Sequence, residues 1–193
     1  MELNNDLVVL RPMVESDIAD RIRWETVDTE WQAWDGPWDY EGKSQAELAA
    51  ELDQSVRLWR ARIEGPEERD PVRHLEICAN GPGRPHIGWC SAYRIDGACC
   101  ISDAGDRWAV GITIPAANTR RKGYATAALT LYLSYLASCG LTEVYTQTWS
   151  GNLRMIGLAE KLGFREYMRK PGLRTVRGKP YDGLTFRLEL KTF

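Results

Sequence analysis

The sequence predicts one mixed α/β (α+β) domain over residues 1–193, a mostly antiparallel sheet flanked by about four helices. Three observations point there: short apolar runs that alternate as strands do, two long segments with helical periodicity, and turn signals such as Asn80-Gly81 and Asp96-Gly97 between the runs. At 193 residues the chain is long enough to bury a self-sufficient core without disulfides or metal.

A strand over Leu7 to Arg11 opens the chain, and Ser16 and Asp17 are suited to cap a helix running to about Trp24. A second helix begins at Ser44, whose capping-box partner is Glu47, and sets Leu48, Leu52, Val56, Trp59 and Ile63 on one face. Glu64 to Pro71 crowds glycine, proline and charge together and reads as a surface loop. Strands are expected near His74 to Ala79, Ile87 to Ile95 and Trp108 to Ile114. From Tyr124 a helix places Ala125, Ala128, Leu129, Tyr132, Leu133 and Leu136 at offsets of three and four, and Gly140 stops it. Glu143 to Trp149 reads as a strand, Asn152 to Leu162 as a helix ended by Gly163, and Leu184 to Leu190 as a last alternating strand.

The composition narrows the class. A hydrophobic fraction of 44% with 27% charged residues is that of an ordinary soluble protein, and no apolar run approaches the ~18 residues of a membrane span. Met1 to Leu10 carries Glu2 and Asp6 and lacks a secretory pattern, so a cytoplasmic location is expected. Five cysteines, an odd number with no two-residue-spaced pair, argue for free thiols and against a zinc site. A formal charge of −2 gives no general attraction to polyanions, so neither nucleic acid nor a membrane is the expected partner. His74 and His86 stand at strand starts and read as edge or surface residues.

One basic segment carries chemistry. Arg120-Arg121-Lys122-Gly123-Tyr124-Ala125 turns into a helix, where free N–H groups and the positive end of the helix dipole attract phosphate and Gly123 allows close backbone approach. The usual signatures of nucleoside-triphosphate and dinucleotide loops are absent. Arg120-x-x-Gly123-x-Ala125 instead resembles the Gln/Arg-x-x-Gly-x-Gly/Ala pyrophosphate loop of the GNAT acetyltransferases. Asn152 after a strand, with Glu160-Lys161-Leu162-Gly163-Phe164 behind it, is similar to that family's second element. Ile87-Gly88 and Leu10-Arg11-Pro12 extend the likeness towards the branch holding the ribosomal-protein N-terminal acetyltransferases.

The resemblance implies that acetyl-CoA is the co-substrate and that no metal takes part. It implies a cofactor held in a splay between the strand ending at Ile114 and the one starting near Glu143. Its pantetheine would pair with Ile112, Thr113 and Ile114, and its pyrophosphate would sit on Arg120 to Thr126. Asn152 and Met155 would lie beside the arm. The acceptor is expected to be an amine, either a protein N-terminus or a small molecule.

The sequence departs from the pattern at two places. Ala109 stands where many members carry a glutamate base, and Ala159 where many carry a tyrosine acid. Asp35, Asp182 and Glu76 remain as candidate bases, with Tyr132 weighed as an acid against a packing role. These departures sustain a second reading, a catalytically degenerate CoA-binding sensor or regulatory module. Four tryptophans crowd the segment from Trp24 to Trp38; Trp34 and Trp38 are the expected acceptor wall, and core packing or a homodimer contact is the other use open to them.

Overall fold

The structure, a computed structural model, describes residues 1–66 and 71–190. The expected loop from Glu64 to Pro71 falls mainly outside the described residues.

Eight strands form one sheet in the order β1-β2-β3-β4-β5-β6-β8-β7. They are β1 (Leu3–Asn4), β2 (Val8–Arg11), β3 (His74–Ala79), β4 (His86–Ile95), β5 (Arg107–Thr113), β6 (Glu143–Trp149), β7 (Arg165–Val176) and β8 (Lys179–Glu189). Every neighbouring pair is antiparallel except β5 with β6. A parallel pair needs a long crossover, supplied by helix α3 (Tyr124–Ser138). The other helices are α1 (Asp17–Thr26), α2 (Gln45–Glu64) and α4 (Leu153–Lys161).

The alternation of each strand sorts its side chains onto two faces. On one, Leu75 and Ile77 of β3, Cys90 and Ala92 of β4 and Val110 of β5 meet Leu129, Tyr132, Leu133 and Leu136 of α3 in the main core. The Tyr132 hydroxyl donates to the Val72 carbonyl at 2.6 Å and the side chain is fully buried, so it packs rather than reacts. On the opposite face, Trp89, Ser91 and Tyr93 of β4 stand beside Thr113, Gly111 and Ala109 of β5.

Helix boundaries differ from expectation where side chains find other partners. Ser16 makes no capping bond; Asp17 instead takes both Arg11 guanidinium nitrogens, at 2.6 and 2.8 Å, and the Val14 N–H, and α1 continues to Thr26. The Ser44–Glu47 capping box is present. The apolar face of α2 is only half-buried, and the helix has no fully buried residue. The largest omission is β7, a long outer strand. Mostly exposed and charged, broken by Pro171 and a register shift between Lys170 and Arg174, it lacks the apolar alternation that marks a buried strand. A turn at Arg177–Gly178 joins it to β8, which therefore starts five residues before Leu184.

Candidate functional site

Strands β5 and β6 pair only at Ala109–Tyr145 and Val110–Thr146 and then part. Beyond that point the edge of β5 that faces β6 has no ladder partner among the described residues, and a cavity of about 1070 Å³ opens between the strands and runs to the amino end of α3. Ile112, Thr113 and Ile114 line it on one side and Gln147 and Thr148 on the other.

At the α3 end of the cavity, Gly123 is the N-cap of the helix, with φ of +86°. Only glycine adopts that left-handed conformation without strain. No side chain caps the helix, so the first-turn N–H groups of Tyr124, Ala125 and Thr126 face the cavity those residues line. Arg121, exposed and also left-handed at φ of 60°, lines the same end. Lys161 of α4 adds a cation that the sequence reading had not assigned. Lys122, expected in the site, is exposed and does not line the cavity.

Arg120 lines the cavity but is otherwise engaged. Its Nε donates to the Ile114 carbonyl at 2.9 Å, and its terminal nitrogens reach the Pro115 carbonyl and Glu30. The Ile114 carbonyl, expected for pantetheine, is thereby already bonded. Asn152 caps α4, its Oδ1 accepting from Met155 N–H at 3.1 Å; both residues line the cavity.

The opposite end is built by the tryptophan-rich segment. Trp31 and Trp34 lie on a 3-10 turn, and Gly36, at φ of +71°, reverses the chain so that Pro37 starts a second one. Trp149 Nε1 of β6 donates to the Trp34 carbonyl at 2.8 Å and fixes the segment against the sheet. Asp35 thus faces Thr113, whose hydroxyl donates to Asp35 Oδ2 at 2.8 Å. Asp35 is exposed, its accessible surface opening onto the cavity it lines, although protein atoms crowd around its carboxyl. Burial pushes its carboxyl above the ordinary range; the Thr113 hydroxyl opposes this and neighbouring Asp39 adds to it. Tyr93, also lining the cavity, is held firmly neutral by burial and by the charge of Asp35.

The other candidate carboxylates are elsewhere. Glu76, 1% exposed, accepts from Arg21 at 2.9 and 3.2 Å and from His86 Nε2 at 2.8 Å, and does not line the cavity. Burial raises its carboxyl, but the bonds from His86 and Arg21 outweigh burial and hold it below the ordinary value. It balances the charge of the buried Arg21 guanidinium. His86, read as an edge residue, is a buried member of this cluster. Asp182 accepts from Arg169 at 2.8 Å and from the Gly172 N–H at 3.0 Å, tying down the β7 bulge outside the cavity. Trp38 also lies outside; it packs edge-on against Trp149, under the Arg174 guanidinium.

Trp34, expected together with Trp38, does line the cavity, as do Trp31 and Trp89, Ser91 and Tyr93 of β4. Their signal was present as strict alternation along a strand, which sets all three on one face. Glu30, between the two ends, accepts from Arg120, Trp34 and Arg154. Partial burial opposes these bonds, but they prevail and bring its carboxyl down to about 2.

The family profile described as "Acetyltransferase (GNAT) domain" matches residues 8–165. The GNAT-family acetyltransferase from Bacillus anthracis has a similar fold, with a TM-score of 0.69 at 13% identity over all of both chains. RimL, a ribosomal L7/L12 α-N-protein acetyltransferase solved with coenzyme A, gives 0.68 at 12% identity over 98% of each chain. The spermidine N-acetyltransferase from Vibrio cholerae, solved with CoA and spermine, gives 0.68 at 16% identity over 96% of this chain and 97% of that one. At these identities the likeness is one of fold. No curated protein sequence matches the chain.

Proposed function

The chain belongs to the GNAT acetyltransferase family, and on that premise we propose that it transfers an acetyl group from acetyl-CoA to a primary amine by direct attack. The observation that carries this reading is the single cavity joining an uncapped helix amino end to the Asp35–Thr113 pair across the parted strands.

Acetyl-CoA supplies a thioester whose thiol, with a pKa near 8.5, departs as thiolate with modest help. The residues present suit such a group. The first-turn N–H groups of α3, with Arg121, Gly123 and Lys161, offer a pyrophosphate seat, while the unpaired edge of β5 offers backbone groups to an amide-bearing arm. A β5 N–H near Ile112 to Ile114 is suited to donate to the carbonyl oxygen as charge builds there. Asn152 and Met155 border the arm.

In the ionised form, Asp35 attracts and orients the ammonium of the acceptor, then takes a proton so that nitrogen attacks as the free amine. A raised carboxyl pKa makes it a better base than an aspartate of ordinary pKa. No tyrosine stands at position 159, where fully buried Ala159 packs in the core, so in this scheme the second proton, shed by the nitrogen as the amide forms, reaches the departing thiolate through solvent.

The test is calorimetric titration with acetyl-CoA together with thiol release against an amine panel. Binding plus turnover supports the transferase. Binding without turnover of any amine favours the degenerate CoA-binding module, and absence of binding at millimolar acetyl-CoA rejects both.

A further inference from the structure

We infer that the acceptor is a monoamine whose ammonium adjoins an aromatic or similarly flat apolar body, rather than a polyamine or a small polar amine. This rests on the acetyltransferase reading and concerns only the end of the cavity holding Asp35.

The first argument is charge. Asp35 is the one carboxylate lining the cavity that is free of cations among the described residues, its bond coming from a neutral hydroxyl. Glu30, the other lining carboxylate, already bonds Arg120 and Arg154. Asp39 and Glu25 lie close enough to influence Asp35 or be influenced by it, but neither lines the cavity. One ammonium therefore finds a counter-ion there, and a second finds none.

The second argument is what the aromatic faces are free to do. The Arg21 guanidinium lies 3.5 Å from the centroid of Trp89, and that of Arg154 lies 4.0 Å from Trp34. Each indole already has a cation on one face, which weakens its pull on another. Trp89 also stacks on Trp24 and meets Trp31 edge-on, so what the indoles offer to the cavity they line with Tyr93 is apolar ring surface rather than an open cation-binding face. The third argument is space. On the sheet face between Trp89 and Tyr93 stand Ser91 and Gly111; a Cβ added at Gly111 would meet Ser91 Oγ at 3.6 Å and Tyr93 Cε1 at 4.0 Å. Two small residues leave a shallow hollow bordered by flat rings, with Gly111 two residues along β5 from the Thr113 that holds Asp35 on that face. A ring fits the hollow while its amine reaches the carboxylate.

The experiment compares phenethylamine, tryptamine and a Phe-Ala dipeptide with ethylamine, spermidine and a Ser-Ala dipeptide, measuring kcat/KM with acetyl-CoA and calorimetric affinity in the presence of CoA. Burying a ring should favour each aromatic amine at least ten-fold over its non-aromatic counterpart and over spermidine, in both measurements. Preference for phenethylamine over Phe-Ala would identify a small-molecule acceptor and the reverse a peptide N-terminus; both carry the inferred chemistry. In Trp89→Leu, and in Tyr93→Leu should the first fail to fold, the ratio of phenethylamine to ethylamine should fall at least three-fold with acetyl-CoA affinity retained. Equal or better turnover or binding of spermidine or Ser-Ala, or an unchanged ratio in the folded variant, overturns the inference while leaving the transferase standing. Failure to bind acetyl-CoA removes the transferase reading itself.

Discussion

Replacing Asp35 with asparagine separates a working carboxylate from a structural one, because the two roles give opposite results in paired measurements. The change keeps the shape and leaves an oxygen to accept from the Thr113 hydroxyl, now 2.8 Å away. The folded-state pKa of Asp35 is raised. The sign follows: the protonated form is favoured in the fold, and the penalty of holding the charge is fully present once pH exceeds that raised value. At neutral pH the substitution therefore removes a penalty while exchanging a charge-assisted hydrogen bond for a neutral one, a loss of about 1 kcal/mol. These offset, so the melting temperature should move by no more than roughly 2–4 °C. Loss of a general base, in contrast, costs about 10²–10⁴-fold in turnover. Acetyl-CoA affinity should be unchanged, and the acid limb of kcat/KM due to Asp35 should vanish. Thr113→Val should move that limb upward, since it deletes the bond that lowers the pKa. Glu76→Gln supplies the contrast. It breaks a buried ion pair and should cost about 3–5 kcal/mol, roughly 6–20 °C. An Asp35→Asn protein that melts like Glu76→Gln and turns over its best amine normally would refute the assignment.

Further outcomes can be checked beside it. Gly123→Val forces a β-branched residue into a φ of +86° at the helix amino end; it should lower stability by about 1–2 kcal/mol and weaken acetyl-CoA at least ten-fold, and unchanged affinity by calorimetry would put the phosphate seat elsewhere. Arg21→Met should destabilise by about 3–5 kcal/mol at pH 7 by leaving Glu76 buried without its guanidinium. Because the folded-state pKa of Glu76 is depressed, the ion pair contributes above the unfolded carboxylate range, and in urea titrations the gap from wild type should close as pH falls through that range and below. Trp38→Ala should cost up to about 3 kcal/mol, the side chain being half-buried against Trp149, with no change in acceptor KM.

What could be read from the sequence was whatever depended on local order. The offsets along α3, the Ser44–Glu47 box, the Asn152 cap and the turn glycines each specify their own few residues, and the two helix starts lining the cavity carried recognisable motifs. Illegible was whatever depended on residues far apart in the chain. In the sequence Glu76 and Asp35 are equal candidates for a base, and distant partners separate them: Arg21, fifty-five positions before Glu76, closes on it, whereas Thr113, seventy-eight positions after Asp35, bonds it at the cleft. Strand β7 escaped because an outer strand is held by backbone bonds to β8 rather than by an apolar face.

Arg120 shows why a motif position does not by itself fix a role. In the sequence it is the leading cation of a phosphate-binding turn. In the fold its guanidinium spans the Ile114 and Pro115 carbonyls and Glu30, and Glu30 also holds Trp34 and Arg154. The side chain therefore ties the turn before α3 both to the end of β5, five to six residues back, and to the segment presenting Asp35, with Glu30 ninety residues back. Phosphate would have to compete with bonds already made to two carbonyls and a carboxylate, whereas Arg121 and the free N–H groups of α3 need surrender nothing. The more economical use of Arg120 is to hold the acceptor segment in register with the cofactor loop. Arg120→Lys keeps the charge but cannot span three acceptors with one planar group. It should therefore raise acceptor KM more than acetyl-CoA Kd; the reverse order would return Arg120 to the phosphates.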